Sequence, residues 1–102
     1  ARAISHYKVD FAIIGASALD EEGVILDFDH HEVEVARAIL THARCKILVA
    51  AGSKFGVHAP YKICDVDQLD HIVLESAPPK AFVQRLNAAS TALHITQEQT
   101  YV

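Results

Sequence analysis

The chain has 102 residues, 51% of them hydrophobic and 22% charged, with a formal net charge of −4 and a pI near 5.9. These values predict one small globular domain rather than a disordered segment. The nine Lys and Arg residues include no run of three, which argues against a nucleic-acid surface, and no apolar stretch approaches the roughly 18–20 residues of a membrane span.

The amino-terminal residues lack the layout of a signal peptide. Cys45 and Cys64 have no C-x-x-C spacing and sit beside apolar residues, as buried free thiols in a reducing compartment do. A soluble cytoplasmic domain is expected.

In chain order, Ala1–Lys8 carries no cap or turn signal. Val9–Ile14 is a nearly continuous apolar run ended by Gly15, and it reads as a strand buried on both faces. Asp20-Glu21-Glu22-Gly23 is a polar turn, and Val24–Phe28 is a second, shorter strand candidate. Asp29 is placed to cap a helix, with Glu32 three residues on as an acidic variant of the capping box. That helix is expected to run to about Ala43, with Arg44 and Lys46 complementing its dipole. Val33, Ala36, Leu40 and Ala43 form one stripe, widened by Val35, Ala38 and Ile39.

Lys46–Ala50 reads as the next buried strand and His71–Leu74 as another. Pro78 and Pro79 open a second helix to about Ala89, because the first helical N–H groups need no partner. Ala92–Ile95 closes the series as a strand. The alternation predicts an α/β fold, an open and mostly parallel sheet with flanking helices. The loops Gly15–Leu19 and Ala51–Gly56 then leave strand carboxyl ends and share the sheet edge where open α/β folds bind ligands.

The second of these loops is the most informative stretch. Ile47-Leu48-Val49-Ala50 empties into Ala51-Gly52-Ser53-Lys54-Phe55-Gly56. Two glycines let backbone N–H groups converge on an anion, Ser53 supplies a hydroxyl, and Lys54 supplies a point charge suited to phosphate. The P-loop consensus is absent, so the alternative of a surface loop with a solvated lysine stays open on spacing alone.

The stretches Val9–Gly15, Asp20–Gly23, Leu26-Asp27-Phe28-Asp29-His30-His31-Glu32-Val33 and Leu48–Gly56, taken together, resemble the C-terminal effector domain of DeoR-family transcriptional regulators. The Leu-Asp-Phe-Asp-x-His-Glu-Val run and Ala77-Pro78-Pro79 look most like the glycerol-3-phosphate regulon branch of that family. The resemblance covers essentially the whole chain, most firmly residues 9–64.

The resemblance implies a repressor whose helix-turn-helix binds DNA while this domain senses a phosphorylated sugar or polyol, with glycerol 3-phosphate favoured. It implies that residues 1–102 are a partial effector-binding domain, lacking the helix-turn-helix and the first part of the sensor. DNA would be contacted only through that absent domain, and the fragment would form a homo-oligomer. The implied effector-binding residues are Gly15, Ala16, Ser17, Gly52, Ser53, Lys54, Phe55, Gly56 and Glu32.

The family is also similar in fold to ribose-5-phosphate isomerase and CoA transferases. In the isomerase the loop after the matching strand carries Asp-Gly-Ala-Asp, whose carboxylates transfer protons. Here Ile14-Gly15-Ala16-Ser17 stands there, and neither Ile nor Ser serves as a general base near neutral pH. Binding without catalysis is therefore expected, with a small phosphosugar isomerase-like enzyme as the alternative. Two departures from the regulator pattern stand out: Ala51 replaces a usual Asp, and Ala18 a usual Gly.

Asp27, Asp29, His30 and His31 are metal-type ligands, but adjacent helical histidines point about 100° apart. Capping and solvation account for them, with His31 or Glu32 touching a ligand or neighbouring subunit as the resemblance hints. No metal or cofactor is expected. Lys62 is an exposed strand lysine or a second phosphate contact. Tyr7, Phe11 and Phe82 are core or interface aromatics, and the scattered histidines belong at the surface.

Overall fold

The computed structural model describes residues 9–96; Ala1–Lys8 and Tyr7 within it lie outside the described residues. Seven strands and two helices follow in the order β1 (Val9–Ile14), β2 (Ala18–Asp20), β3 (Val24–Asp27), α1 (His30–Thr41), β4 (Ala43–Ala50), β5 (Tyr61–Asp65), β6 (His71–Leu74), α2 (Lys80–Ala89) and β7 (Ala92–Ile95). Short 3-10 turns occupy Gly52–Lys54 and Val66–Gln68. The fold is α/β, with a four-stranded sheet in the order β1-β4-β6-β7, parallel throughout, and a small antiparallel sheet in the order β2-β3-β5.

Parallel pairing sets Ile14 beside Leu48, Leu48 beside Ile72 and Ile72 beside Leu93. That face is covered. Leu48, Ile72 and Leu74 are fully buried and pack in one cluster with Val33 and Leu40 from α1 and Phe82 and Leu86 from α2. The opposite face is not covered. Phe11 is 66% exposed, Ile13 67% and Val49 45%, so β1 is half-buried rather than buried on both faces, and Phe11 is no core aromatic. Its apolar run looked like a two-sided strand because both faces are apolar, whatever covers them.

The small sheet was legible only in part. β3 ends at Asp27, one residue short of the expected Phe28. β2 was not expected, and β5 only through Lys62, read as an exposed strand lysine: three residues are too few for an alternating pattern, and Tyr61–Asp65 mixes polar and apolar residues. The Asp20–Gly23 turn joins β2 to β3 as a hairpin, with Glu22 N–H donating to Asp20 Oδ1 at 2.8 Å and Gly23 at a φ of 92°.

Helix α1 starts where the cap predicts, since Asp29 accepts from the His31 N–H at 2.8 Å. Glu32 does not return a bond; the reciprocal box forms instead at Asp65 and Gln68. The helix stops at Thr41, and Arg44 and Lys46 belong to β4 rather than to its last turn, which holds no basic residue. Helix α2 follows Pro79 as expected and ends at Ser90 in a left-handed conformation with φ of 62°. Thr91 then points its hydroxyl at Val66 O (2.8 Å) and Leu69 O (3.1 Å), fixing the entry to β7.

Candidate functional site

Strands β1, β4 and β6 run in the same direction, so the loops that follow them lie along one edge of the sheet. After β1, Gly15 passes close to β4: a Cβ there would sit 3.8 Å from Val49 O. The chain turns directly into the hairpin, where Ser17 N–H donates to Leu26 O at 3.1 Å. After β4, Ala51 precedes a 3-10 turn in which Lys54 N–H donates to Ala51 O (3.1 Å) and Phe55 N–H to Gly52 O (3.3 Å).

After β6 comes Ser76, and it meets the middle loop at Gly52. A Cβ on Gly52 would lie 2.5 Å from Ser76 Oγ, so the absence of a side chain at 52 is what lets the two loops close together. Gly56 plays the other glycine role, with a φ of 84° and nothing within 4 Å of the Cβ it lacks.

The expected residues divide into groups. Gly15 and Glu32 line one cleft of about 210 Å³ together with Asp27, over a floor that includes Ile14, Ala36 and Ile39. Asp27 Oδ1 accepts from Phe28 N–H (2.7 Å) and Asp29 N–H (3.1 Å), which holds the carboxylate in place and leaves its second oxygen available. Gly56 lines a different cleft, of about 480 Å³, with Asp20, Glu21, Glu22 and His58. Ser53 and Lys54 line neither. Lys54 is half-buried and belongs to none of the ion pairs among the described residues. Ala16 and Phe55 pack against the core; Phe55 meets Phe82 edge-on at 4.8 Å and its strand-like contact with Leu19 ties the loop to β2.

Two residues at this edge were not singled out for it. Asp27 drew notice only as a metal-type ligand, and Ser76 carried no sequence signal because only the packing against Gly52 marks it. The described residues assemble no group of three metal-type ligands. Lys62 is exposed and pairs with Asp65 at 2.8 Å. Cys64 is buried, Cys45 half-buried, and both are free.

A sheet whose carboxyl-edge loops carry Ala-Gly-Ser-Lys-Phe-Gly has a counterpart among known families. The family model described as DeoR C terminal sensor domain matches residues 1–76. The chain belongs to the DeoR C-terminal sensor domain family. Among curated relatives, the glycerol-3-phosphate regulon repressor of Escherichia coli is 37% identical over 83 residues, covering 81% of this chain and 33% of the relative. The protein of the same name from Haemophilus influenzae is 37% identical over 90 residues, covering 88% and 35%. The HTH-type transcriptional repressor CsqR of Escherichia coli is 26% identical over 95 residues, covering 93% and 36%. This DeoR sensor chain thus spans about a third of the length of the curated relatives it matches. Among its described residues no helix is long and apolar enough to cross a membrane.

Proposed function

We propose that this chain is the effector-sensing part of a cytoplasmic DeoR-family repressor and that it binds a phosphorylated sugar or polyol, glycerol 3-phosphate first among them. The observation that carries the reading is that the Gly15–Ser17 and Gly52–Gly56 loops both leave neighbouring parallel strands at one sheet edge, in a chain of this family. The 51–56 loop takes the phosphate, through Ser53 Oγ, the Lys54 ammonium and backbone N–H groups. The cleft beside Gly15 takes the hydroxyl-bearing end, because Asp27 and Glu32 are acceptors and would repel a phosphate.

The relatives' names support regulation over catalysis, as does the placement of Ile14 and Ser17 where an isomerase needs acids. Effector binding shifts the protein between two arrangements to the extent that its affinity for them differs. DNA contact belongs to the part of the repressor outside the third matched here, and the sensor chains self-associate.

The test is calorimetric titration of glycerol 3-phosphate into the intact repressor and its variants. Lys54→Ala should weaken binding about ten- to a hundredfold, the loss of roughly 1.5–3 kcal/mol in a charge-assisted contact, with operator affinity intact. Ser53→Ala should cost about 1 kcal/mol. Unchanged affinity in Lys54→Ala would remove this loop from the site.

A further inference from the structure

Away from the effector loops, beside the first half of β4, lies a third cleft of about 370 Å³, rimmed by Arg37, Thr41, Lys46 and Gln68. Its floor is Leu40, Ile63 and Cys64, all buried. Lys46 is out of place by pattern. It pairs with Ala12 on the covered face of the sheet, in line with Leu48 and Ala50 on its own strand, where an apolar side chain is the ordinary occupant.

The polar groups of this cleft point one way chemically. Arg37 Nε donates to Ile63 O at 3.1 Å, which fixes the guanidinium and leaves its two terminal nitrogens unused by that bond. Gln68 Oε1 accepts from Asp65 N–H at 3.0 Å, which turns the donor end of the amide free. No carboxylate lines the cleft. The neighbouring acids are committed, Asp65 to Lys62 at 2.8 Å and Asp70 to the Lys46 backbone N–H at 2.8 Å. Neither Arg37 nor Lys46 belongs to an ion pair among the described residues. Against the two positive side chains stand about half a negative charge from the carboxyl end of α1 and the Asp70 carboxylate, which its bond to a backbone N–H leaves charged.

We infer that this cleft is a second anion site, taking a small phosphate-bearing molecule between Arg37 and Lys46 with Gln68 as neutral donor. Arginine holds two phosphate oxygens in a fork and lysine adds a point charge, while Leu40 and Ile63 leave an apolar floor for a short organic group. The five residue steps from Lys46 to Ala51 span roughly 16 Å of extended chain, so no single triose- or hexose-sized phosphate reaches both this cleft and the 51–56 loop. The cavity falls within the usual size of a small-molecule site.

The test is a titration of inorganic phosphate, at constant ionic strength set with chloride, into the intact protein labelled for amide NMR. Run in the Lys54→Ala background, it silences the loop proposed above. The Gln68 side-chain amide and Arg37 Nε–H should shift in a saturable way. Arg37→Gln and Lys46→Met, which keep the aliphatic stems, should each raise the dissociation constant about tenfold or more. Glycerol 3-phosphate in the same background separates free phosphate from an ester: tighter binding of the ester assigns the floor to its organic group, and equal binding assigns the site to phosphate itself. Shifts confined to residues 51–56, or none at Gln68 and Arg37, overturn the inference. So does unchanged affinity in both variants with their melting temperatures intact.

Discussion

Cys64 shows how a single side chain records its surroundings. Its thiol is pushed up to about 11 from 9.0, first by burial and then by the Asp65 carboxylate, with Lys62 and Arg37 acting the other way. The folded protein therefore holds this proton more tightly than the unfolded chain. The stability it contributes is fully present below about pH 9 and is lost as pH rises through 11. Melting temperatures followed between about pH 8 and 11 should fall less steeply in Cys64→Ala than in the wild type; parallel curves would contradict the argument. At Thr91 the bonds to Val66 O and Leu69 O depend on one buried hydroxyl. Thr91→Val keeps the shape and removes the donor, and should cost about 1–3 kcal/mol in chemical denaturation. Gly52 and Gly56 separate two reasons for a glycine. Gly56→Ala meets open space and should cost only the roughly 1–2 kcal/mol of a left-handed backbone. Gly52→Ala must move Ser76, so it should alter effector affinity as well as stability; calorimetry on the pair distinguishes them.

Among elements, α2 and the loop before β5 stand or fall together. Phe82 is fully buried and holds Phe55 edge-on, so Phe82→Ala should cost about 3–5 kcal/mol. It should also loosen the 51–56 loop, read as faster amide exchange at Lys54 and Phe55. The sequence made β4, β6, β7 and α2 legible, through apolar runs and prolines that follow simple periodicities. The small sheet escaped because β5 alternates weakly and β2 is only three residues long. The cap at Asp29 was readable and its expected partner Glu32 was not, since Glu32 instead faces the cleft with Asp27 and Gly15. The Ala51–Gly56 loop was visible in its residues, while the packing of Ser76 against Gly52 exists only in three dimensions.

For the whole molecule, the uncovered sheet face carries more consequence for association than the apolar stripe of α1. The stripe is used in part: Val33 and Leu40 pack inward, while Val35 stays exposed. Phe11, Ile13 and Val49 are exposed together on the uncovered sheet face. Self-association of the chain should therefore run through this face. Ile13→Lys should shift it toward monomer in sedimentation velocity while leaving the melting temperature nearly unchanged, because Ile13 buries little within one chain. A variant that associates as before would place the contact elsewhere.

The order β1-β4-β6-β7 rises steadily along the chain, without reversing. Right-handed crossovers that all advance in one direction must all pass over the same face, which is why α1, α2 and the small sheet crowd one side of the molecule. The bare side is thus a matter of handedness, and no change of side chains within β1 to β7 could clothe it. A strand that followed β7 in the chain and paired with the free edge of β1 would have to run back across the sheet, and its right-handed crossover would pass over that bare side. Such a strand would also turn the end of β1, at Gly15, into the point where the winding reverses.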